Sequence, residues 1–195
     1  MSPKPTGTRP ELRLAKRGGL VEALRLLTPL YGGVVSARNS LYELGAIRVH
    51  RASVPVISVG NLTTGGTGKT PFVIWLAKQL RALGRNPGVL SRGYGRAEGA
   101  LQNDEGALLA LELPELPQVQ QPDRVAGAAA LAAEGADLIL LDDGFQHRRL
   151  ARDLDLVLID TTRPWGLPPA APGAPPVEAL LPRGLLREPL SSLKR

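Results

Sequence analysis

The sequence predicts an α/β fold built on a mainly parallel sheet flanked by helices. Three observations carry that reading. From residue 52 onward, short apolar runs of the kind that form buried strands alternate with segments whose apolar residues fall at helical spacing. A glycine-rich loop lies directly between one such strand and the helix that follows it. A run of four apolar residues, Leu138-Ile139-Leu140-Leu141, ends in two adjacent aspartates. In open sheets of this kind ligands bind beyond the carboxyl ends of the strands, where both the loop and the aspartates fall.

Taken in order, residues 1–19 are polar and basic and hold no apolar h-region, which argues against a secretory leader. From Leu20 the apolar residues recur at Leu24, Leu27, Tyr31, Val34 and Val35, a helical spacing. Pro29 and the pair Gly32-Gly33 interrupt it, so two short helices or one kinked helix are expected. Val54 to Val59 reads as a strand closed by Gly60, Pro71 to Leu83 as a helix, and Gly88 to Ser91 as a second strand. Asp123 is placed to cap an alanine-rich helix that runs to Ala133 and is closed by Gly135. Asp137 to Leu141 is a buried-type strand, and Leu154 to Ile159, interrupted only by Asp155, is another that ends at Asp160. Prolines at 164, 168, 169, 172, 175, 176 and 182 leave little room for regular structure, so that stretch reads as a long loop or linker.

Composition narrows the chemistry. The 195 residues are 43% hydrophobic and 22% charged, enough for a packed core. There is no cysteine, which excludes disulfides, cysteine-based metal sites and a thiol nucleophile, and the two histidines are too few for most transition-metal sites. The net charge of +6 is unevenly placed. Residues 1–51 hold Lys4, Arg9, Arg13, Lys16, Arg17, Arg25, Arg38, Arg48 and Arg51 against Glu11, Glu22 and Glu43, while the remainder is balanced. A basic amino-terminal arm suits nucleic acid or an anionic membrane surface. No apolar run reaches the ~18 residues needed to span a bilayer. A basic amphipathic helix that does not span can lie in a membrane interface, or it packs on the domain with its charges solvated.

The strongest motif is Thr64-Gly65-Gly66-Thr67-Gly68-Lys69-Thr70. Its glycines permit backbone conformations that turn successive N–H groups toward an anion, and the following helix offers its positive end. Lys69 is placed to reach the β- and γ-phosphates and the Thr70 hydroxyl to ligate Mg²⁺. Position 63 is Thr where the common phosphate-loop pattern has Gly, so the spacing of Gly65, Gly66, Gly68 and Lys69 is nearer a doubled-glycine variant. The fold expected is therefore P-loop NTPase-like. Asp142 and Asp143 match the strand-terminal acid that stands on the far side of the metal in such proteins, although one of the pair could instead cap the next segment.

Five runs carry a family resemblance: Gly60-Asn61-Leu62-Thr63, Gly65 to Pro71, Ser91-Arg92-Gly93-Tyr94-Gly95-Arg96, Asp142-Asp143-Gly144-Phe145-Gln146-His147 and Leu186-Arg187-Glu188-Pro189-Leu190. Together they resemble the tetraacyldisaccharide 4'-kinase family of lipid A biosynthesis. The resemblance implies ATP-dependent phosphorylation of the 4'-hydroxyl of a tetraacyldisaccharide 1-phosphate, with ATP and Mg²⁺ as cofactors. It places the reaction at the cytoplasmic face of the bacterial inner membrane, with the protein peripheral. The basic arm then faces anionic lipid rather than nucleic acid. On this reading residues 1–51 are a membrane-proximal segment, 52–163 a P-loop kinase core, and 164–195 a proline-rich loop opening an inter-lobe region.

The same resemblance suggests roles. Asn103-Asp104-Glu105-Gly106 is similar to the family's Gly-Asp-Glu-Pro segment, which makes Asp104 the candidate general base, although Asn103 and Gly106 depart from the pattern. His147 is similar to a histidine near the active site. Arg92, Tyr94, Arg124 and Arg187 are candidate contacts to the glycolipid or its 1-phosphate, since arginine grips phosphate in bidentate fashion. Arg148-Arg149 and Lys194-Arg195 read as solvated charge and His50 as a surface residue. Family members continue into a second α/β lobe that closes over the nucleotide. The carboxy-terminal lobe is apparently missing here, so weak ATP binding and poor turnover are expected of this chain alone. Two other readings stay open: a P-loop ATPase or GTPase switch of the partitioning or metal-delivery type, and a non-catalytic remnant that binds membrane or a partner. Against the switch, no Asn-Lys-x-Asp motif occurs and position 64 is Thr, not Lys.

Overall fold

The computed structural model describes residues 23–93, 104–167, 173 and 178–194, apart from the side chain of Asp104. The chain forms two compact units. One comprises Leu41–Asn61 and Gly66–Leu158; the other comprises the described residues up to Ser40, Leu62–Gly65 and the described residues from Ile159 onward.

The first unit is a five-stranded sheet. Strands β1 (Val56–Gly60), β2 (Pro87–Ser91), β3 (Gln118–Gln120), β4 (Leu138–Asp142) and β5 (Leu154–Val157) lie in the order β3-β2-β4-β1-β5. Every pairing is parallel, as the alternating pattern predicts. Helix α1 spans Thr28–Glu43, α2 Lys69–Ala82, α3 Asp104–Glu112 and α4 Arg124–Ala133. Strand β4 is buried along its whole length, and its side chains alternate between two cores. Leu138 and Leu140 pack with Val73, Ile74 and Ala77 of α2 and Leu109 of α3, whereas Ile139 and Leu141 pack with Ala128 and Leu131 of α4. A central strand covered on both faces must be apolar throughout, which is why its sequence runs without alternation. The register sets Val59 of β1 beside Asp142 of β4, so the loop after β1 and the acids closing β4 leave the sheet side by side.

Local chemistry explains the helix starts. Asp123 caps α4 as expected, its carboxylate accepting from the N–H groups of Val125 (3.0 Å) and Ala126 (3.3 Å). Helix α2 begins on Gly68 in the left-handed region (φ 77°) with no side-chain cap, leaving its first N–H groups directed away from the helix.

Three expectations change. Among the described residues the amino-terminal helical segment shows a 3₁₀ turn at Leu24–Leu26 followed by the continuous helix α1, not a helix broken at Gly32-Gly33. Pro29 sits in the first turn of α1, where its missing N–H costs nothing, so the interruption falls ahead of it. Helix α3 and strand β3 were not expected from the sequence. Gln118 and Gln120 give the edge strand β3 a polar signature, and the Gln118 side chain closes α3 by donating to the carbonyls of Leu109 (3.1 Å) and Leu113 (2.9 Å). Arg148 is not solvated: its side chain is 12% exposed, lies 5.2 Å over the ring of Tyr42 and pairs with Glu43 at 3.6 Å. Arg149 is half-exposed and faces Asp123 at 3.7 Å. His50 is partly buried, its N–H donating to Arg149 and its carbonyl accepting from Ala151.

In the second unit the chain from Leu62 to Thr64 is zipped to residues 185–187. The Thr64 N–H donates to the Leu185 carbonyl, the Arg187 N–H donates to the Leu62 carbonyl, each at 2.7 Å, and Thr63 bridges Leu186 in antiparallel fashion. Helix α1 joins this layer through the Tyr31 hydroxyl, which donates to the Arg187 carbonyl (2.9 Å), and through the Asn39 amide, which donates to the buried Glu188 carboxylate (3.4 Å). Burial raises the Tyr31 phenol above its ordinary pKa, and the charge of Glu188 adds to the shift.

Candidate nucleotide site

The glycines of the loop after β1 meet different requirements. Gly65 (φ 122°) and Gly68 (φ 77°) hold backbone conformations that other residues rarely adopt. Gly66 has no positive φ, and a side-chain carbon added there meets no protein atom within 4 Å. Neither backbone strain nor packing explains that glycine. Open space at the start of an uncapped helix is what a close-lying anion requires.

Opposite this loop, the end of β4 presents Asp142 and Asp143. Thr70, in the first turn of α2, donates from its hydroxyl to Asp142 Oδ2 at 3.3 Å. Lys69 Nζ stands 3.5 Å from Asp143 Oδ1. Asp143 takes φ 54°, a conformation that turns the chain out of the strand, so the two neighbouring carboxylates serve different partners. Asp142 is 3% exposed, and burial, then the negative charges of Glu105 and Asp143, push its carboxyl up to about 6; Lys69 and the Thr70 hydrogen bond act in the opposite direction.

A cationic layer adjoins the acids. Arg124, at the start of α4, is 3% exposed and donates to the Gln121 carbonyl. Its guanidinium is held below its ordinary pKa by burial and then by the charge of Arg92, while Asp143 and Asp142 act to raise it. Arg92 itself is exposed. His147 is driven down to about 4 by burial and then by Arg124 and Arg152, so its imidazole is neutral at ordinary pH. Its Nε2 is buried with no hydrogen-bond partner among the described residues.

Of the residues singled out from sequence, Lys69, Thr70, Asp142, Asp143, Arg124, Arg92 and His147 thus interact within the sheet unit, with Gly66, Thr67 and Gly68 in the adjoining loop. Thr64, Gly65 and Arg187 belong to the other unit, where Thr64 and Arg187 take part in the backbone zipper just described. Asp104 opens α3, its side chain outside the described residues, and Tyr94 lies outside them too. Sequence reasoning did not single out Asn61, whose amide Nδ2 donates to Thr67 Oγ1 (2.9 Å), or Gln146, whose Nε2 donates to the Asn61 carbonyl (2.9 Å). Both sit in the runs that carry the family resemblance. Nothing in their residue type separates them from ordinary polar loop positions.

The donor set is suited to one kind of metal. Among the described residues no group of three or more His, Cys, Asp and Glu side chains could hold an ion by itself. The buried Oδ1 of Asp142 has no hydrogen-bond partner among them, and the Thr70 hydroxyl adjoins the other carboxylate oxygen. One carboxylate and one hydroxyl, completed by phosphate and water oxygens, suit Mg²⁺ carried on a nucleotide.

A parallel sheet with a glycine loop after β1 and a buried aspartate ending the neighbouring strand defines a P-loop nucleotide-binding protein. The family described as tetraacyldisaccharide-1-P 4'-kinase matches residues 20–195, and the chain belongs to it. It is 43% identical over 191 residues to a tetraacyldisaccharide 4'-kinase of Chlorobaculum parvum, the match covering 88% of this chain and 50% of that protein. The namesake of Xanthomonas euvesicatoria is 43% identical over 177 residues, covering 85% and 48% respectively. Among solved structures, LpxK from Aquifex aeolicus in complex with ATP superposes with a TM-score of 0.74 at 36% identity, covering 91% of this chain and 57% of that one. The chain spans about half the length of the curated relatives it matches.

Proposed function

We propose that this chain provides the nucleotide-binding part of an ATP-dependent kinase that phosphorylates the 4'-hydroxyl of a tetraacyldisaccharide 1-phosphate in lipid A biosynthesis. The observation that carries the proposal is the pairing of Lys69 and Thr70 with Asp143 and Asp142 across adjacent strand ends, in a chain of this family. Phosphoryl transfer depends mainly on positioning and charge neutralisation. The backbone N–H groups from Gly66 to Thr70, at the amino end of α2, bind the phosphates, and Lys69 exchanges its Asp143 partner for phosphate oxygens. Mg²⁺, when bound with ATP by Thr70 and Asp142, with Asp143 beside them, supplies countercharge on the phosphates. A divalent cation held there would also offset the cost of ionising the buried Asp142.

Asp104 is the proposed general base for the sugar hydroxyl. What supports it is the neighbouring Glu105, whose charge is felt by Asp142, so the start of α3 lies within electrostatic reach of the metal end. Burial and the neighbouring arginines keep His147 neutral, which leaves one ring nitrogen able to accept a hydrogen bond. Arg124 balances the acids and the incoming phosphates. Arg92, Tyr94 and Arg187 are proposed contacts to the glycolipid and its 1-phosphate.

The proposal includes peripheral attachment at the cytoplasmic face of the inner membrane, and what supports a membrane contact is α1. Leu30, Val34 and Leu41 fall on one side of the helix and are 45–68% exposed, while Val35 and Asn39, turned away from them, are buried. Among the described residues no helix is long and apolar enough to cross a membrane. An apolar stripe with the exposed Arg25 just ahead of it in the chain fits an anionic lipid surface, each Lys or Arg adding about 1 kcal/mol.

The test is transfer of labelled γ-phosphate from ATP to the tetraacyldisaccharide 1-phosphate. The purified chain is assayed alone and with the remaining half of the Chlorobaculum parvum kinase added. Product labelled at the 4'-position in either mixture supports the proposal. A chain that binds no Mg-ATP overturns it.

A further inference from the structure

The loop after β1 and the loop after β4 are stitched together beyond the point where their strands end. The Gly144 N–H donates to the Val59 carbonyl at 3.3 Å. A side-chain carbon on Gly60 would lie 2.5 Å from Cβ of the buried Phe145 and 2.9 Å from its nitrogen, so the two backbones touch there only because residue 60 is glycine. Next, the Gln146 amide donates to the Asn61 carbonyl at 2.9 Å. The Asn61 side chain, 0% exposed, then donates to the Thr67 hydroxyl, also at 2.9 Å. The chain of contacts thus runs from the segment following Asp142 and Asp143 to the middle of the phosphate loop, one residue from Gly66 and two from Lys69.

The direction of the last bond matters. A threonine hydroxyl has one proton and two lone pairs. By donating to Thr67 Oγ1, the Asn61 amide occupies a lone pair and leaves the hydroxyl proton for another acceptor. Thr67 is only partly buried, and the loop around it is open on the side of Gly66.

We infer that Asn61 is a positioning residue: it fixes the Thr67 hydroxyl as a donor toward a nucleotide phosphate oxygen and ties the phosphate loop to the metal-binding acids. The inference rests on the nucleotide reading above. The bond it aims is directed at a charged oxygen, where such bonds are strongest, so its loss should weaken Mg-ATP binding by about tenfold or more.

The experiment is a double-mutant cycle on the full chain, with Mg-ATP affinity read by calorimetry and the thermal midpoint of the ligand-free protein read alongside. Asn61→Ala and Thr67→Val should each weaken Mg-ATP about tenfold, and the double variant should bind no more weakly than either single one. Thr67→Ser, which keeps the hydroxyl, should bind like the unchanged protein. If the two losses simply add, or Thr67→Val binds as tightly as Thr67→Ser, the inference is overturned. The second comparison holds even where Asn61→Ala does not fold. Lys69→Ala separates the two levels. If it binds Mg-ATP as well as the unchanged protein, the nucleotide reading has failed; if it has lost binding while Thr67→Val has not, only the positioning role has.

Discussion

The strand ends and the helix α1 break opposite rules of protein surfaces. At the end of β4 a carboxylate and an arginine are buried and an imidazole is half-buried, although charge is expensive to remove from water. Along α1, leucines and a valine stay in water although apolar burial is the main force in folding. Elsewhere the sheet unit behaves ordinarily, with apolar cores on both faces of β4 and exposed ion pairs such as Lys78 with Glu112 and Arg85 with Asp137. The two exceptions share one logic. In the function proposed above, each region meets a partner from outside the chain: phosphate and a divalent cation in one case, a lipid surface in the other. A ligand that removes a pre-existing cost gains affinity by doing so, which turns a local stability defect into a binding site.

The largest effect should come from Lys69→Ala. Losing the ammonium that faces Asp143 and the phosphates should lower Mg-ATP affinity by at least about a hundredfold, as expected for a charged contact in a partly buried site. The thermal midpoint of the ligand-free chain should change little. Calorimetric titration checks it, and binding retained within a few-fold breaks the strand-end half of the comparison.

Asp142→Asn sharpens the same half because it should change stability and binding in opposite directions. The amide keeps a hydrogen-bond acceptor for Thr70 but cannot ionise, so above about pH 6 the ligand-free variant should melt higher than the unchanged chain. Its midpoint should no longer rise when Mg-ATP is added. A variant that is both less stable and still stabilised by Mg-ATP would show that the buried carboxylate belongs to the core rather than to a metal.

For α1 the matching experiment is Leu30→Glu with Val34→Glu. Both positions are more than 60% exposed, so folding stability should move by no more than about 0.5 kcal/mol per site. Co-sedimentation with vesicles of anionic lipid should fall about tenfold or more, since each apolar side chain loses its contribution in the interface. Unchanged sedimentation would mean that the exposed stripe has another occupant.

Which parts of this were legible in advance follows from where the information resides. The phosphate loop, the acid pair, the Asp123 cap and the strands β1, β2 and β4 each declare themselves within a few consecutive residues, through glycine, a strand-terminal acid or an unbroken apolar run. Strand β3 does not, because an edge strand paired on one side has no need of apolar side chains and this one is mostly glutamine. Asn61 and Arg148 were unreadable for another reason. Their environments are made by residues distant in the chain, Gln146 in one case and Tyr42 with Glu43 in the other. The doubled arginine at 148–149 shows the limit well: two identical neighbours, one largely buried over an aromatic ring and one half in water.

The smallest effect, and the most discriminating, is the pH dependence of stability, because the buried Asp142 and the half-buried His147 act with opposite sign. His147 has its pKa lowered from 6.5 to about 4, so the unfolded chain takes up its proton first as pH falls. Its contribution to stability is full above 6.5 and is lost as pH drops toward 4. Asp142 has its pKa raised from 3.8 to about 6, so the folded chain holds its proton longer as pH rises. Its contribution is full below 3.8 and is lost as pH climbs through 6. Between about pH 4 and 6 the two slopes oppose one another, and the ligand-free chain should show a shallow profile there. His147→Gln should remove the rising component and tilt that window so that stability falls with pH. Asp142→Asn should remove the falling component and tilt it the other way. Denaturant midpoints measured across the window decide the matter: tilts of opposite sign confirm that both groups are buried against their charge, and tilts of the same sign would show that one of them is solvated in the folded chain.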